Sequence, residues 1–175
     1  MDTGAVFLKE VLRWFRQQKN LADDAMAQLS DAELFQAPDE ESNSVAVIVK
    51  HMAGNLRSRF TDFLTSDGEK PDRHRDQEFI IQPGMSRRQI IDDWEAGWHC
   101  LFSALDSLGP EDLLRTVTIR GESHGVIQAI LRQLAHQSHH AGQILFLARH
   151  RRGKQWKTLS IPRGKSEAFN EKMRS

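Results

Sequence analysis

Apolar residues recur at helical spacing in four long stretches of the chain. Phe7, Val11, Trp14, Phe15, Leu21, Ala25 and Leu29 mark the first, from about Thr3 to Leu29. Their spacing of near three and four residues is that of a helix with one buried face. Ser30-Asp31-Ala32-Glu33 has the capping-box pattern and predicts a short helical turn that Pro38 ends. Ser44 can cap the second long helix, whose stripe is Val45, Ile48, Met52, Leu56, Phe60 and Phe63. From Thr65 to Met85 the chain is polar, holds Gly68, Pro71, Pro83 and Gly84, and has no helical period. A connection this long often carries function, and in a bundle it can cross from one end to the other.

Ser86-Arg87-Arg88-Gln89 is a second capping box. Ile90, Ile91, Trp94, Trp98, Leu101, Phe102, Leu105 and Leu108 then carry the third helix, which stops at Gly109-Pro110. Thr116-Val117-Thr118-Ile119 alternates and is rich in β-branched residues, and Arg120-Gly121-Glu122-Ser123 can turn. Together they predict a short extended stretch or hairpin. The last long helix runs from about His124 to His150 on a stripe of Ile127, Ile130, Leu131, Leu134, Leu145 and Ala148. Gly153 and Pro162 predict irregular structure beyond it. The pattern as a whole predicts an all-α protein. The expected architecture is a four-helix bundle with a long crossover between helices 2 and 3 and a short extended stretch before the last long helix.

Length agrees with one domain over residues 1–175, long enough to bury a core. No segment approaches the roughly 20 apolar residues that span a bilayer. Cys100 is the single cysteine, which excludes an internal disulfide and a multi-cysteine zinc site. It also fits a reducing compartment. Met1-Asp2-Thr3-Gly4 lacks a signal-peptide pattern, so the cytoplasm is the expected location.

The zero net charge is a sum of two opposed parts. Residues 149–175 hold nine Lys/Arg and two Glu, a net of +7, and residues 1–148 carry −7. A basic C-terminal extension of this kind can contact nucleic acid or lie over an acidic body. Trp156, Leu159, Ile161 and Phe169 interrupt its charges and favour packing. No recognition-helix motif accompanies it, and nucleic-acid binding is not expected.

Candidate chemistry sits in the last helix. His136 and His140, four residues apart, share one helical face and can point at one metal ion. Gln143 shares that face and can hydrogen-bond a bound water or substrate. Polar side chains turned to solvent are the other reading of this pair. A third ligand is needed, and His51 fits best, at the edge of the second helix's apolar face. Asn55, one turn on, can orient a ligand or substrate. His74, His99 and His124 lack a paired context. Three imidazoles with open positions would make a catalytic rather than a closed site.

The crossover is dense in charge, with Asp67, Glu69, Arg73, Arg75, Asp76 and Glu78. It reads as a lid whose Arg75 or Arg59 holds an anionic group, or as a loop held by internal Arg–carboxylate pairs, the reading favoured here. Trp94 and Trp98 read as core, and Cys100 as a small buried residue.

His51, with His136-x-x-x-His140-x-x-Gln143 in the last helix, resembles the DinB-like superfamily. Ser138-His139-His140-Ala141-Gly142-Gln143 is similar to that motif's usual ending. His51 to Phe60, Asp67 to Pro71, Arg75 to Phe79 and Trp156 to Asn170 resemble an uncharacterised bacterial branch of it, a domain of unknown function. The resemblance implies a bundle, often a homodimer. It also implies a divalent metal ion, commonly zinc or nickel, held by His51, His136 and His140. Relatives use such a metal to activate a low-molecular-weight thiol. The expected function is a metal-dependent hydrolase or thiol transferase acting on a small-molecule substrate. Gln143, Asn55 and Arg59 would stand behind the ligands or position substrate, and no general base is assigned. The alternative is a non-catalytic stress-response or interaction module with a structural metal or none.

Overall fold

The computed structural model describes residues 2–174. They form six α-helices, three 3-10 turns and one two-stranded sheet, and are mostly helical. The helices are α1 (Thr3–Met26), α2 (Asp31–Phe35), α3 (Val45–Phe60), α4 (Arg87–Asp106), α5 (Val126–Arg152) and α6 (Ser166–Arg174). Each serine that predicts a start does cap one. Ser30 and Ser86 make reciprocal capping boxes with Glu33 and Gln89, and the Ser44 side chain accepts from the Val47 N–H. Among the described residues, no helix is long and apolar enough to cross a membrane.

The four long helices share one core. α3 packs most extensively on α4, and α1 on α5, while α3 also meets α5 and α1 meets α4. The α3–α4 crossing is close because Gly97 faces the Ala53 backbone. A Cβ on Gly97 would lie 2.8 Å from Ala53 Cα. Trp94 and Trp98 are fully buried, and the Trp94 indole donates to Asp23 Oδ1 at 2.7 Å.

The α5 stripe differs from the predicted one. Ile127 and Leu131 are exposed, Leu131 by 47%, while Gln133 and Gln137 are buried. The buried line is Val126, Ile130, Gln133, Gln137, Ala141, Ile144 and Ala148. Two amides stand where hydropathy looks for apolar side chains, so the true face is rotated from the apparent one. Trp14 is likewise 44% exposed.

The hairpin is real: β1 (Thr116–Ile119) pairs antiparallel with β2 (Glu122–Gly125), with Ile119 opposite Glu122. Its two turn residues, Arg120 and Gly121, both have positive φ (56° and 77°), as a tight hairpin turn requires. The crossover between α3 and α4 is tied down, not loose. It contains a 3-10 turn over Arg75–Phe79 that packs on α3. Asp67 accepts from the Arg120 and Gly121 N–H groups, each at 2.8 Å. Lys50 Nζ donates to the Gln77 and Ile80 carbonyls at 2.6 Å.

The C-terminal segment departs from the irregular structure expected of it, since residues 166–174 form α6. None of its residues is buried. Before it, the basic extension lies on the same chain. Arg152 reaches Glu33 at 3.3 Å, Gln28 and Lys157 exchange two hydrogen bonds, and Trp156 and Leu159 pack partly buried against the core.

Candidate metal centre

Helical geometry sets His136 and His140 one turn apart on α5, with their Nε2 atoms 3.2 Å apart. α3 lies beside α5 and brings His51, whose Nε2 is 3.4 Å from that of His136. One ring nitrogen from each of the three lies within 4.8 Å of the others. His51 is buried, and the other two are half-buried.

The far sides of the rings decide which nitrogens carry protons. His51 Nδ1 is 2.8 Å from Glu78 Oε2, and His140 Nδ1 is 2.7 Å from Gln143 Oε1. Both oxygens only accept, so each Nδ1 carries the hydrogen. In the neutral rings the Nε2 atoms of His51 and His140 then carry lone pairs, and each lies within 3.4 Å of His136 Nε2. One proton can bridge only one of the two short contacts, whereas a metal ion held by the three rings would take a lone pair from each. Tetrahedral zinc–imidazole bonds of about 2.0–2.1 Å place neighbouring nitrogens about 3.3 Å apart, close to the 3.4 Å and 3.2 Å that separate His136 Nε2 from those of His51 and His140. His136 Nδ1 is 3.5 Å from the Gln137 amide nitrogen, while Gln137 Oε1 is buried without a partner. Turning this amide over aims the orphaned oxygen at Nδ1–H. Amide orientation is an assignment made from such networks, and the turned form gives all three rings an acceptor.

Burial, then the neighbouring rings of His140 and His51, pushes His136 down to about 3. Burial also lowers His140, against the hydrogen bond that its Nδ1–H donates to Gln143 Oε1. Both rings are therefore neutral at pH 7, the form that binds metal.

Glu78 is the residue that sequence spacing missed. It comes from the 3-10 turn of the crossover, is buried, and also accepts from Arg73 Nε at 2.8 Å. Burial works to raise its pKa, but the bonds from His51 and Arg73 hold it below the usual value. Gly54, one turn after His51, makes room for it, because a Cβ there would fall on the Glu78 carboxylate. Phe79, beside Glu78, stacks on the His51 ring at 4.8 Å between centroids. No helical period runs through this segment; its density of charge and the resemblance over Arg75 to Phe79 are the signals that point to it, and neither singles out Glu78.

Asn55 and Arg59 sit on α3 with His51. With His51 and His136 they line a cavity of about 170 Å³. Asn55 Oδ1 accepts from Gln133 Nε2 at 2.9 Å. Gln143 bridges two rings, since its amide nitrogen is 3.3 Å from His139 Nε2. Cys100 is half-buried, 3.4 Å from the Thr61 hydroxyl, and lies in another cleft, between the ends of α3 and α4.

A family model described as a protein of unknown function, DUF1572, matches residues 2–165. The chain belongs to this family. The DUF1572 match takes in all three histidines, Glu78 and Gln143, and ends one residue before α6 begins. No curated protein and no solved structure matches the chain.

Proposed function

We propose that this DUF1572 protein binds one divalent metal ion, zinc or nickel, through His51, His136 and His140. The observation that carries the reading is the convergence of three Nε2 atoms whose partner nitrogens are turned to Glu78, Gln143 and Gln137. That arrangement orients imidazole ligands and raises their basicity. We further read the four long helices as a four-helix bundle of the DinB-like superfamily, with the crossover characteristic of it.

Three protein ligands leave coordination positions open, as in catalytic sites. Zinc or nickel held there would supply Lewis acidity toward a small-molecule substrate or thiol. Glu78 fixes the His51 ring, Gln143 fixes His140, and Asn55 and Arg59 face the adjoining cavity, where a substrate would lie. Hydrolysis or thiol transfer on a small molecule is the reaction class this supports.

Elemental analysis of the purified protein tests the site. About one equivalent of metal is expected in the parent and little in His140→Ala. Equal metal content in the two proteins would sink the three-histidine assignment. A screen with low-molecular-weight thiols and divalent ions tests the reaction class. No turnover under any combination would leave a binding protein.

A further inference from the structure

Guanidinium groups crowd the space beside the histidines. The 170 Å³ cavity that His51 and His136 border is lined by five arginines and by no acidic residue. They converge from four places. Arg59 comes from α3, Arg73 and Arg75 from the crossover, Arg120 from the hairpin turn and Arg132 from α5. Like charges at such density repel one another, so the fold needs a reason to collect them.

Structural pairing accounts for three. Glu69 takes Arg59 and Arg120 at 2.9 Å and Arg73 at 3.3 Å, and Glu78 takes Arg73 again. Those pairs hold the crossover and hairpin to α3. Arg75 and Arg132 do not belong to that network. Among the described residues neither has a hydrogen bond or a carboxylate partner, and Arg75 only lies over the Phe79 ring at 5.1 Å. Both are exposed and could have pointed away from the cavity. Their place on its wall adds positive charge where pairing gives no return.

We propose that this pocket binds the oxyanion, phosphate or carboxylate, of a small-molecule substrate and sets its reacting part beside the three-histidine centre. Guanidinium is the side chain suited to this, because its planar fork donates two parallel hydrogen bonds to such groups. Convergent positive charge in a concave site also draws anions in. Whole small ligands occupy about 300–1,000 Å³, so a cavity this small seats one charged group and leaves the remainder outside. The proposal rests on the metal reading for what the substrate meets next, but anion binding itself does not need the metal.

Calorimetric titration of the full chain with inorganic phosphate, and separately with acetate, tests this. Each titration is run at fixed ionic strength, on chelator-treated protein and on zinc-loaded protein. Saturable one-to-one binding of at least one anion by the chelator-treated parent is expected. An Arg75→Gln/Arg132→Gln double variant should bind that anion about tenfold or more weakly and keep its zinc content. Both side chains are exposed, so the fold tolerates the change. Which anion binds identifies the substrate group. Equal binding by parent and variant, or no saturable binding of either anion, overturns the pocket. Anion binding by a parent that takes up no zinc would instead overturn the metal reading and leave the pocket standing.

Discussion

His51 and Glu78 are 27 residues apart in the chain, yet His51 Nδ1 lies 2.8 Å from Glu78 Oε2. The contact ties a ring on α3 to the crossover and commits that ring's Nε2 to the other two histidines. Removing such a carboxylate behind a ligand typically costs about 10–100-fold in metal affinity. Glu78→Gln should show a loss of that order in competition with a chromophoric chelator. Glu78→Ala should in addition lower stability by about 3 kcal/mol in urea melts. It takes two charge-assisted hydrogen bonds from Arg73, whose side chain is only 5% exposed and keeps only Glu69, at 3.3 Å, and hydrogen bonds to charged groups are worth about 1.5–3 kcal/mol each. Unchanged metal affinity in both variants would separate Glu78 from the site.

Gly54 is expected to matter through Glu78. Alanine is ordinarily the better helix former by about 1 kcal/mol, so Gly54→Ala on an open helix face would stabilise. Here the added methyl meets the Glu78 carboxylate. The variant should therefore be no more stable than the parent and should bind metal more weakly. A stabilised Gly54→Ala protein with parental metal affinity would show that the carboxylate moves aside freely.

Metal should raise stability through mass action. At a free zinc concentration a hundredfold above Kd the gain is about 2.7 kcal/mol. For a chain of this size that corresponds to roughly 5–11 °C in Tm. The shift should vanish in His136→Ala. The same shift in both proteins would place zinc elsewhere.

Acid should destabilise the metal-free protein. His136 has a folded pKa of about 3 against an ordinary 6.5. Between those values the unfolded chain takes up a proton that the fold refuses, so stability falls as pH drops through that window. His140, also lowered, acts in the same direction. Glu69 and Glu78 are held below 4.5 and extend the loss at lower pH. The urea midpoint should decline steadily from pH 7.5 to 4.5. A flat or rising midpoint would contradict this sign.

Helix starts were readable because Ser30, Ser44 and Ser86 act locally, through bonds three residues ahead. The His136–His140 pair was readable for the same reason, since one helical turn fixes it. The α5 face was misread because Gln133 and Gln137 occupy core positions. Their burial depends on partners in α3 and at the histidines that no local pattern announces. Glu78 escaped because its partner, His51, is reached only after the crossover folds back. Residues 166–174 read as irregular after Gly153 and Pro162, and the helix there buries nothing that a stripe would reveal.

His51 and His136 are 85 residues apart, and the chain has one cysteine and hence no internal disulfide. An ion coordinated by both would act as a reversible staple across about half of the chain. A covalent link closing a loop of that size removes about 4–5 kcal/mol of entropy from the unfolded ensemble. Only α5 docked against α3 completes the ligand set. A nascent or partly unfolded chain that holds the His136–His140 pair alone would release the ion, so metal retention would serve as a readout of finished assembly.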